Sequence, residues 1–254
     1  MREARIVLFL LMFTHALHAA AFTHASPSAE ILRPGQVAFQ PYPGSNPIQD
    51  YAFLTNSLSV GVFNGWEIGT VPIMWQSTGE YSLRNFNWKS RLWRSPEWAV
   101  AWGTQHLFYE SKGKTREHYD NFRVDQIGIG VEYRPLGSRF QFRYNIATSQ
   151  MMIQGLTLMR LSDGTSLKMS TWYVPGGVDH YLDIGYAASD TNFWILGLTQ
   201  NHDWLSGLGS RDKAAYGAGL SHAWKIKGRF LSGLSLGFHL RERSGPKALM
   251  SVVF

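Results

Sequence analysis

The sequence lacks cysteine altogether, and it is poor in charge and in long apolar runs. Without cysteine, neither a disulfide framework nor a lipid anchor on a cysteine can hold an exported chain together. Charged residues make up 17%, below the roughly 25% of soluble domains. The longest apolar run, Ile6 to Phe13, is far shorter than a transmembrane helix, which needs about 20 residues. A disulfide-stapled domain and a helical membrane protein are therefore excluded.

Aromatic residues and glycine are, in contrast, plentiful. The 254 residues include 10 Trp, 11 Tyr, 15 Phe and 25 Gly. These rings could fill a soluble core, but their number also suits the aromatic girdles of a protein that meets both interfaces of a membrane. Together with the low charge, the composition favours strands that face lipid on one side.

The N-terminus has the pattern of a cleaved export signal. Arg2 and Arg5 precede the apolar run, and Ala19 to Ala21 supply the small residues of a cleavage site. We therefore expect residues 1–21 to be a signal peptide. Residues 22–34 carry Ser and Pro without periodicity and are expected to form a short periplasmic lead, followed by a single domain over 35–254.

Alternation of apolar and polar residues predicts antiparallel strands with two different faces. In residues 85–92 the even positions are mostly apolar, and the odd positions are amide or cationic. In the next clear hairpin, Ile127 and Ile129 share one face, whereas Gln126 and Glu132 share the other. Such rows do not fit a two-sided apolar core. We expect one face to meet lipid and the other to meet a polar interior.

Turn signals divide the chain into strands. Asn64-Gly65 is the strongest short hairpin signal, and tight turns are also expected at 135–137, 163–164, 189–192 and 227–228. Long loops are expected near 43–55, 111–120 and 203–211, at the opposite and external end of the strands. Counting a less regular central hairpin, 151–161 with 166–174, the pattern predicts about 14 strands, and without that hairpin about 12.

The C-terminal residues 246–254 form an alternating strand that ends on an aromatic residue. Ala248, Met250, Val252 and Phe254 share its apolar face. This strand resembles the closing strand of bacterial outer-membrane β-barrels. The resemblance implies an all-β fold, namely an antiparallel up-and-down transmembrane β-barrel in the cell outer membrane of a Gram-negative bacterium. It also implies that Met250, Val252 and Phe254 are the assembly signal, with the barrel-assembly machinery, outer-membrane lipids and lipopolysaccharide as partners.

If the alternation holds, ionisable side chains line the lumen, namely Lys89, Arg91, Glu132, Arg139, Arg143, Asp183, His239 and Arg241. Such a set can select anions in a pore, or it can fill the barrel as a salt-bridged plug. A barrel of about 12 to 14 strands has a bore that permits either. We expect a narrow, porin-like pore or passive transporter for small solutes. The alternative is a non-conducting structural or surface-interaction barrel.

A second alternative is an outer-membrane lipid-modifying enzyme, which needs a nucleophile, a base and an acid at one depth. Thr104 and His106 share a strand face but have no evident acid, whereas Ser221 and His222 are adjacent and point to opposite faces. No motif of the barrel phospholipases or lipid A deacylases is present, so we expect no enzyme.

Neither a cofactor nor a metal ion is expected. His106 and His118 lie near acidic residues, but this cluster fits a hydrated loop better than a specific cation site. The formal net charge is +6, yet the basic residues are scattered along strands rather than gathered into a patch. We therefore expect no nucleic-acid partner.

Overall fold

The computed structural model describes residues 29, 31–39, 58–70, 75–112, 120–160, 165–202, 214–226, 233–241 and 245–253. These residues form an all-β, antiparallel, up-and-down sheet of the β-barrel-like class. Within them there is no helix long and apolar enough to cross a membrane. The predicted signal peptide, residues 1–21, lies outside the described residues and stays a prediction.

The sheet contains 13 strand segments in the described residues. Their bounds are β1 Val37–Phe39, β2 Leu58–Phe63, β3 Trp66–Thr70, β4 Gln76–Ser77, β5 Tyr81–Arg94, β6 Trp98–Ser111, β7 Asn121–Tyr133, β8 Phe140–Arg160, β9 Ser166–Ala187, β10 Asn192–His202, β11 Ala214–Lys225, β12 Gly233–Arg241 and β13 Gly245–Val253.

The pairings connect these segments in one antiparallel sheet. Consecutive strands pair antiparallel, except that β3 and β4 both pair with β5. The two terminal strands meet where Ala38 pairs with Val253 and Phe39 with Val252. The pairings can thus be followed from β5 through β13, β1, β2 and β3 back to β5. Because β3 and β4 share one place beside β5, the 13 segments fill 12 positions.

The described strands agree with the alternative of about 12 rather than with about 14, and the central hairpin is the reason. Residues 151–161 and 166–174 do not form strands of their own, because they continue β8 and β9, which run over 21 and 22 residues. The Pro175-Gly176-Gly177 segment lies within β9, where the register with β8 shifts between Thr148 and Gln150. A bulge can carry a proline inside a ladder, and this one conceals the continuity of the strand.

The long β8 also changes the predicted placement of the connections. Turns 135–137 and 163–164 were expected at the same end of the strands. Because β8 runs uninterrupted from Phe140 to Arg160, the connection from β8 to β9 lies at the end opposite to 135–137. It therefore shares an end with the connection from β6 to β7, around residues 112–120.

Three of the predicted tight turns are confirmed. Residues 64–65 join β2 to β3, and Gly65 has a φ of 86°, a conformation that other L-residues rarely adopt. In the turn at 135–137, the Ser138 amide donates to the Pro135 carbonyl at 3.0 Å. At 189–192, the Ala188 amide donates to the Asn192 carbonyl at 2.9 Å. The turns at 163–164 and 227–228, and the loops at 43–55, 113–119 and 203–211, lie outside the described residues.

The two faces of the sheet have the polarity that the alternation predicts. On β7, Ile127 and Ile129 are 46% and 45% exposed, whereas Gln126 and Glu132 are 4% and 1% exposed. On β8 the exposed row is Phe140, Phe142, Tyr144 and Ile146, while Arg143 and Asn145 are buried. This distribution is the reverse of that in a soluble protein, where charged side chains are almost never fully buried unless they are paired.

Part of the predicted lead packs against the inward face of the strands. Ala29 and Ile31 are buried together with Ala99 and Ala101 of β6. The Leu32 amide donates to Glu67 Oε2 of β3 at 3.2 Å. Lack of periodicity in this segment therefore does not mean lack of contacts.

The end of the lead and the residue that follows it lie close to Gly61 of β2. The Gly35 amide donates to the Gly61 carbonyl at 2.8 Å, and a Cβ at position 61 would lie 2.2 Å from the Arg33 carbonyl oxygen. Only glycine lets the two backbones come this close.

Gly61→Ala is therefore expected to displace the lead and to lower the free energy of unfolding by about 1–3 kcal/mol. Gly79→Ala is the matched control, because no atom lies within 4 Å of a Cβ built there. Urea titration of both variants in detergent micelles measures the difference. Equal stability of the two variants would contradict the packing of the lead.

Candidate functional site

Six of the eight predicted lumen-lining residues have described side chains. Lys89, Glu132, Arg143 and Asp183 are buried on the inward face, and Arg91 is half-buried. The backbone of His239 and Arg241 belongs to β12, but their side chains lie outside the described part of the chain.

The predicted assembly signal falls at the seam between the terminal strands. Val252 of β13 pairs with Leu234 on one side and with Phe39 on the other, and Met250 pairs with Leu236. Phe254 lies outside the described residues. The role of these residues in assembly stays a prediction.

The main charged cluster of the interior is built around Arg143. Register places Glu132, Arg143 and Asp183 side by side on β7, β8 and β9. Arg143 Nε lies 3.3 Å from Glu132 Oε2, and Arg143 Nη1 lies 3.2 Å from Asp183 Oδ2. The guanidinium thus bridges two carboxylates, and the Arg134 guanidinium and the Gln141 amide also contact Glu132.

A regular hairpin across the turn at 135–137 would make Arg139 the partner of Glu132. The structure instead pairs Glu132 with Arg143, because β7 ends at Tyr133 and β8 begins at Phe140, so that Tyr133 faces Phe142. Arg139 is exposed, at the turn end of the sheet. There it lines a cavity of about 260 Å³ with Arg134, Arg143, Asp183 and Lys225.

A second buried ion pair joins β3 to β5 at the place where the lead contacts the sheet. Lys89 Nζ of β5 lies 3.2 Å from Glu67 Oε2 of β3, and both side chains are nearly inaccessible. The same Glu67 oxygen accepts the hydrogen bond from the Leu32 amide. Arg91 lies nearer the turn, where its Nη1 approaches Asn64 Oδ1 at 3.5 Å.

The inward face changes character along the strands. Beyond the ionic layer at the turn end comes an amide layer, in which Asn87 and Gln105 are 0% exposed and Gln126 Nε2 donates to Asp179 Oδ2 at 3.2 Å. Towards the opposite end, the buried inward side chains are apolar except for Ser111, and they include Leu83, Leu107, Val124, Met151 and Ile153. The interior along β5 to β9 is therefore packed in three layers of different polarity.

A different cluster lies on the outward face of β6 and β7. Thr104 Oγ1 is 2.8 Å from His106 Nε2, and His106 Nδ1 is 2.6 Å from Asp125 Oδ1. Arg123 Nε donates to the same Asp125 oxygen at 2.5 Å, and its guanidinium carbon lies 5.2 Å from the centroid of the Phe108 ring. The His106 and Asp125 side chains are both half-buried.

Asp125, the acid of this cluster, was not predicted from the sequence. The Thr104 and His106 pair is visible in the sequence, but Asp125 comes from the next strand, beyond the connection at 112–120. A connection of that length leaves the register open, so the pairing of His106 with Asp125 could not be derived. One signal was available, since Arg123 and Asp125 interrupt an otherwise apolar outward row.

The other serine and histidine pair behaves as predicted. Ser221 is buried on the inward face of β11. His222 is on the outward face, with its ring 4.3 Å from that of Trp194 and 4.2 Å from that of Trp224. The two side chains therefore cannot act together.

No group of three or more His, Asp or Glu side chains suited to a metal ion occurs in the described part of the chain. His118 and Glu117 lie outside it. Neither a known family model nor a curated protein matches this sequence.

Replacing Arg143 with Met should remove the charge that joins Glu132 and Asp183 while keeping an apolar side chain. Because breaking a buried ion pair leaves charge uncompensated, the free energy of unfolding is expected to fall by about 3–5 kcal/mol. Urea unfolding in micelles, followed by tryptophan fluorescence, measures the loss.

Arg84→Met is the matched control for this experiment. Arg84 pairs with Glu110 at 3.7 Å, but the two side chains are 63% and 49% exposed, so the expected loss is below about 1 kcal/mol. Similar losses in both variants would show that the Arg143 cluster does not stabilise the interior.

Proposed function

We propose that the chain forms a closed, membrane-spanning β-barrel of the bacterial outer membrane, and that this barrel is non-conducting and has a structural or surface-interaction role. The observation that carries the proposal is the reversed polarity of the sheet. Apolar side chains such as Ile129, Phe142 and Leu196 are exposed, while Glu132 and Arg143 are buried. Such an apolar surface is stable in lipid and unfavourable in water.

The pairings of β1 with β13 and of β3 with β5 support the proposed closure of the sheet. In lipid every backbone N–H and C=O group needs a partner within the protein, and a sheet meets this requirement only when it has no free edge. In the described chain, β1 pairs with both β2 and β13, and β3 pairs with both β2 and β5, while β4 pairs with β5 alone.

Aromatic side chains at the turn end support a membrane interface there. Trp66 stacks on Trp88 with ring centroids 5.4 Å apart, and Trp98 stacks on Tyr133 at 4.3 Å. Trp66, Trp93 and Trp98 are exposed and belong to strand ends that adjoin tight turns. Trp and Tyr are enriched at this depth because their rings are apolar and their N–H or O–H groups reach water.

The packed interior favours a plug over a pore. In an open channel, water would reach the side chains that line it, but Asn87, Gln105, Asn145 and Glu132 are inaccessible. Buried ion pairs and the lead segment fill the space along β5 to β9 instead.

A narrow pore for small anions is the second candidate, and one observation favours it. The cavity at the turn end is lined by Arg134, Arg139, Arg143 and Lys225, which would attract anions to that mouth.

The partners that go with this proposal are outer-membrane lipids with lipopolysaccharide, and the barrel-assembly machinery. The machinery would recognise the strand that contains Met250, Val252 and Phe254. This part of the proposal depends on the resemblance of the C-terminal strand to those of outer-membrane barrels.

Recording in planar lipid bilayers distinguishes the non-conducting barrel from the pore. We expect the purified protein to insert and to carry no stepwise current. Discrete conductance steps that shift towards cation preference in Arg143→Glu would instead support the pore, because a charge in the pore wall sets the local potential.

The membrane itself is tested by a charge on the outward face. Ile129 lies about midway between the turn and the far end of β7, so Ile129→Arg should cost roughly 2–4 kcal/mol of folding free energy in bilayers. Leu136→Arg is the control, because Leu136 is exposed in the turn at 135–137 and should lie outside the hydrocarbon. Equal folding free energies in lipid vesicles would contradict a lipid-facing position for Ile129.

A further inference from the structure

We propose that Thr104, His106 and Asp125 form a catalytic site on the outward face, where they hydrolyse an ester bond of a membrane phospholipid. The inference rests on the proposed function, because the site meets lipid only if this face of the sheet does. It goes beyond that function by assigning a reaction to the outward face of the sheet.

The hydrogen bonds place the protons as acyl transfer requires. Two groups approach His106 Nδ1, namely Asp125 Oδ1 at 2.6 Å, which only accepts, and Arg123 Nη2 at 3.3 Å, which only donates. We assign the proton to Nδ1, because the carboxylate contact is the shorter of the two. The Nε2 lone pair then faces the Thr104 hydroxyl at 2.8 Å. Thr104 is thereby the nucleophile, His106 the general base and Asp125 the group that orients the imidazole.

The charged and polar side chains of this cluster face the proposed lipid side of the sheet, where burying them in hydrocarbon costs free energy. An ionisable side chain that faces the hydrocarbon is expensive, and such residues in membrane proteins mark functional sites. Here His106, Asp125 and Arg123 interrupt an outward surface on which Phe86, Phe108 and Ile127 are exposed. Arg123 compensates the charge of Asp125 through its Nε hydrogen bond.

The surroundings of the site indicate the class of substrate. Thr104 pairs in register with Trp88 of β5 and Ile127 of β7, and Trp88 packs edge-on against Trp102 at 4.5 Å. These apolar side chains provide a surface for an acyl chain.

Basic side chains lie on the other side of His106. Phe108 pairs in register with Arg84 and with Arg123, so both guanidiniums flank the row towards the far end of the strands. Arginine there suits a phosphate. An ester between an acyl chain and a phosphate-bearing headgroup would thus lie near Thr104.

The reaction proceeds in two balanced steps. Thr104 Oγ adds to the ester carbonyl carbon while His106 Nε2 takes the hydroxyl proton; the ester C–O bond then breaks, and the leaving alcohol takes that proton, which leaves an acyl-threonine. Water next adds to the acyl carbon and gives its proton to His106. The Thr104 C–O bond breaks, Thr104 recovers the proton, and a fatty acid is released.

The test uses the purified full chain reconstituted into vesicles of phosphatidylethanolamine and phosphatidylglycerol, with release of fatty acid as the measurement. Thr104→Ala, His106→Ala and Asp125→Asn are each expected to lower the rate by about 1,000-fold or more, and Thr104→Ser to retain activity.

Two matched controls come from the same outward face. Thr148→Ala alters an exposed threonine at the same level of the sheet, since Ile127 pairs with both Thr104 and Thr148. His222→Ala alters an outward histidine that has two tryptophan neighbours and no carboxylate in its described contacts. Both controls should keep the wild-type rate.

A covalent probe separates catalysis from a merely structural hydrogen-bond cluster. An alkyl fluorophosphonate should label Thr104 in the wild-type protein, and mass spectrometry should locate the adduct on the peptide that contains it. The His106→Ala variant should not be labelled, because its Thr104 hydroxyl has no base.

Each outcome bears on a distinct part of the proposal. Insertion into vesicles without release of fatty acid, or release that persists in Thr104→Ala, overturns the catalytic site and leaves the barrel intact. Failure to insert overturns the proposed function as well. Release from vesicles that contain lipid A, and not from phospholipid alone, overturns the phospholipid as substrate and keeps the lipid esterase.

Discussion

Backbone hydrogen bonding between neighbouring strands is the constraint on which the rest of this structure depends. Once neighbouring strands pair in an antiparallel sheet, their side chains can project only inwards or outwards, in strict alternation. The inward rows then share a limited volume, and the outward rows share a large surface. Polarity, packing and chemistry in this protein all follow from which row a residue occupies.

The inward rows are stabilised by pairing rather than by apolar burial alone. Charges such as those of Lys89 and Arg143 are expensive to remove from water, and each is offset by a carboxylate on the adjacent strand. Because these pairs join β3 to β5 and β7 to β9, they also hold the register of the sheet. Towards the other end, Leu107 and Val124 are buried without a charge to offset.

The faces of the strands could be predicted from the sequence because they depend on local alternation alone. Ile129 and Gln126 lie where a two-residue period puts them, and Asn64-Gly65 forms the turn that its residues favour. The length of β8 and β9 could not be predicted, since a bulge near Pro175 resembles a turn in sequence. Register was equally inaccessible, and it decides that Arg143 meets Glu132 and that Asp125 meets His106.

The lead is covalently continuous with β1, and this gives it the properties of a tethered ligand of the interior. Residues 31–36 directly precede β1, which begins at Val37. Its local concentration at the inward face is therefore fixed by the chain, as for a second binding site on a short linker. Diluting the protein therefore does not release the lead from the inward face of the strands. Only a local opening, in which the Leu32 bond to Glu67 and the Gly35 bond to Gly61 break together, would expose the surface that it covers.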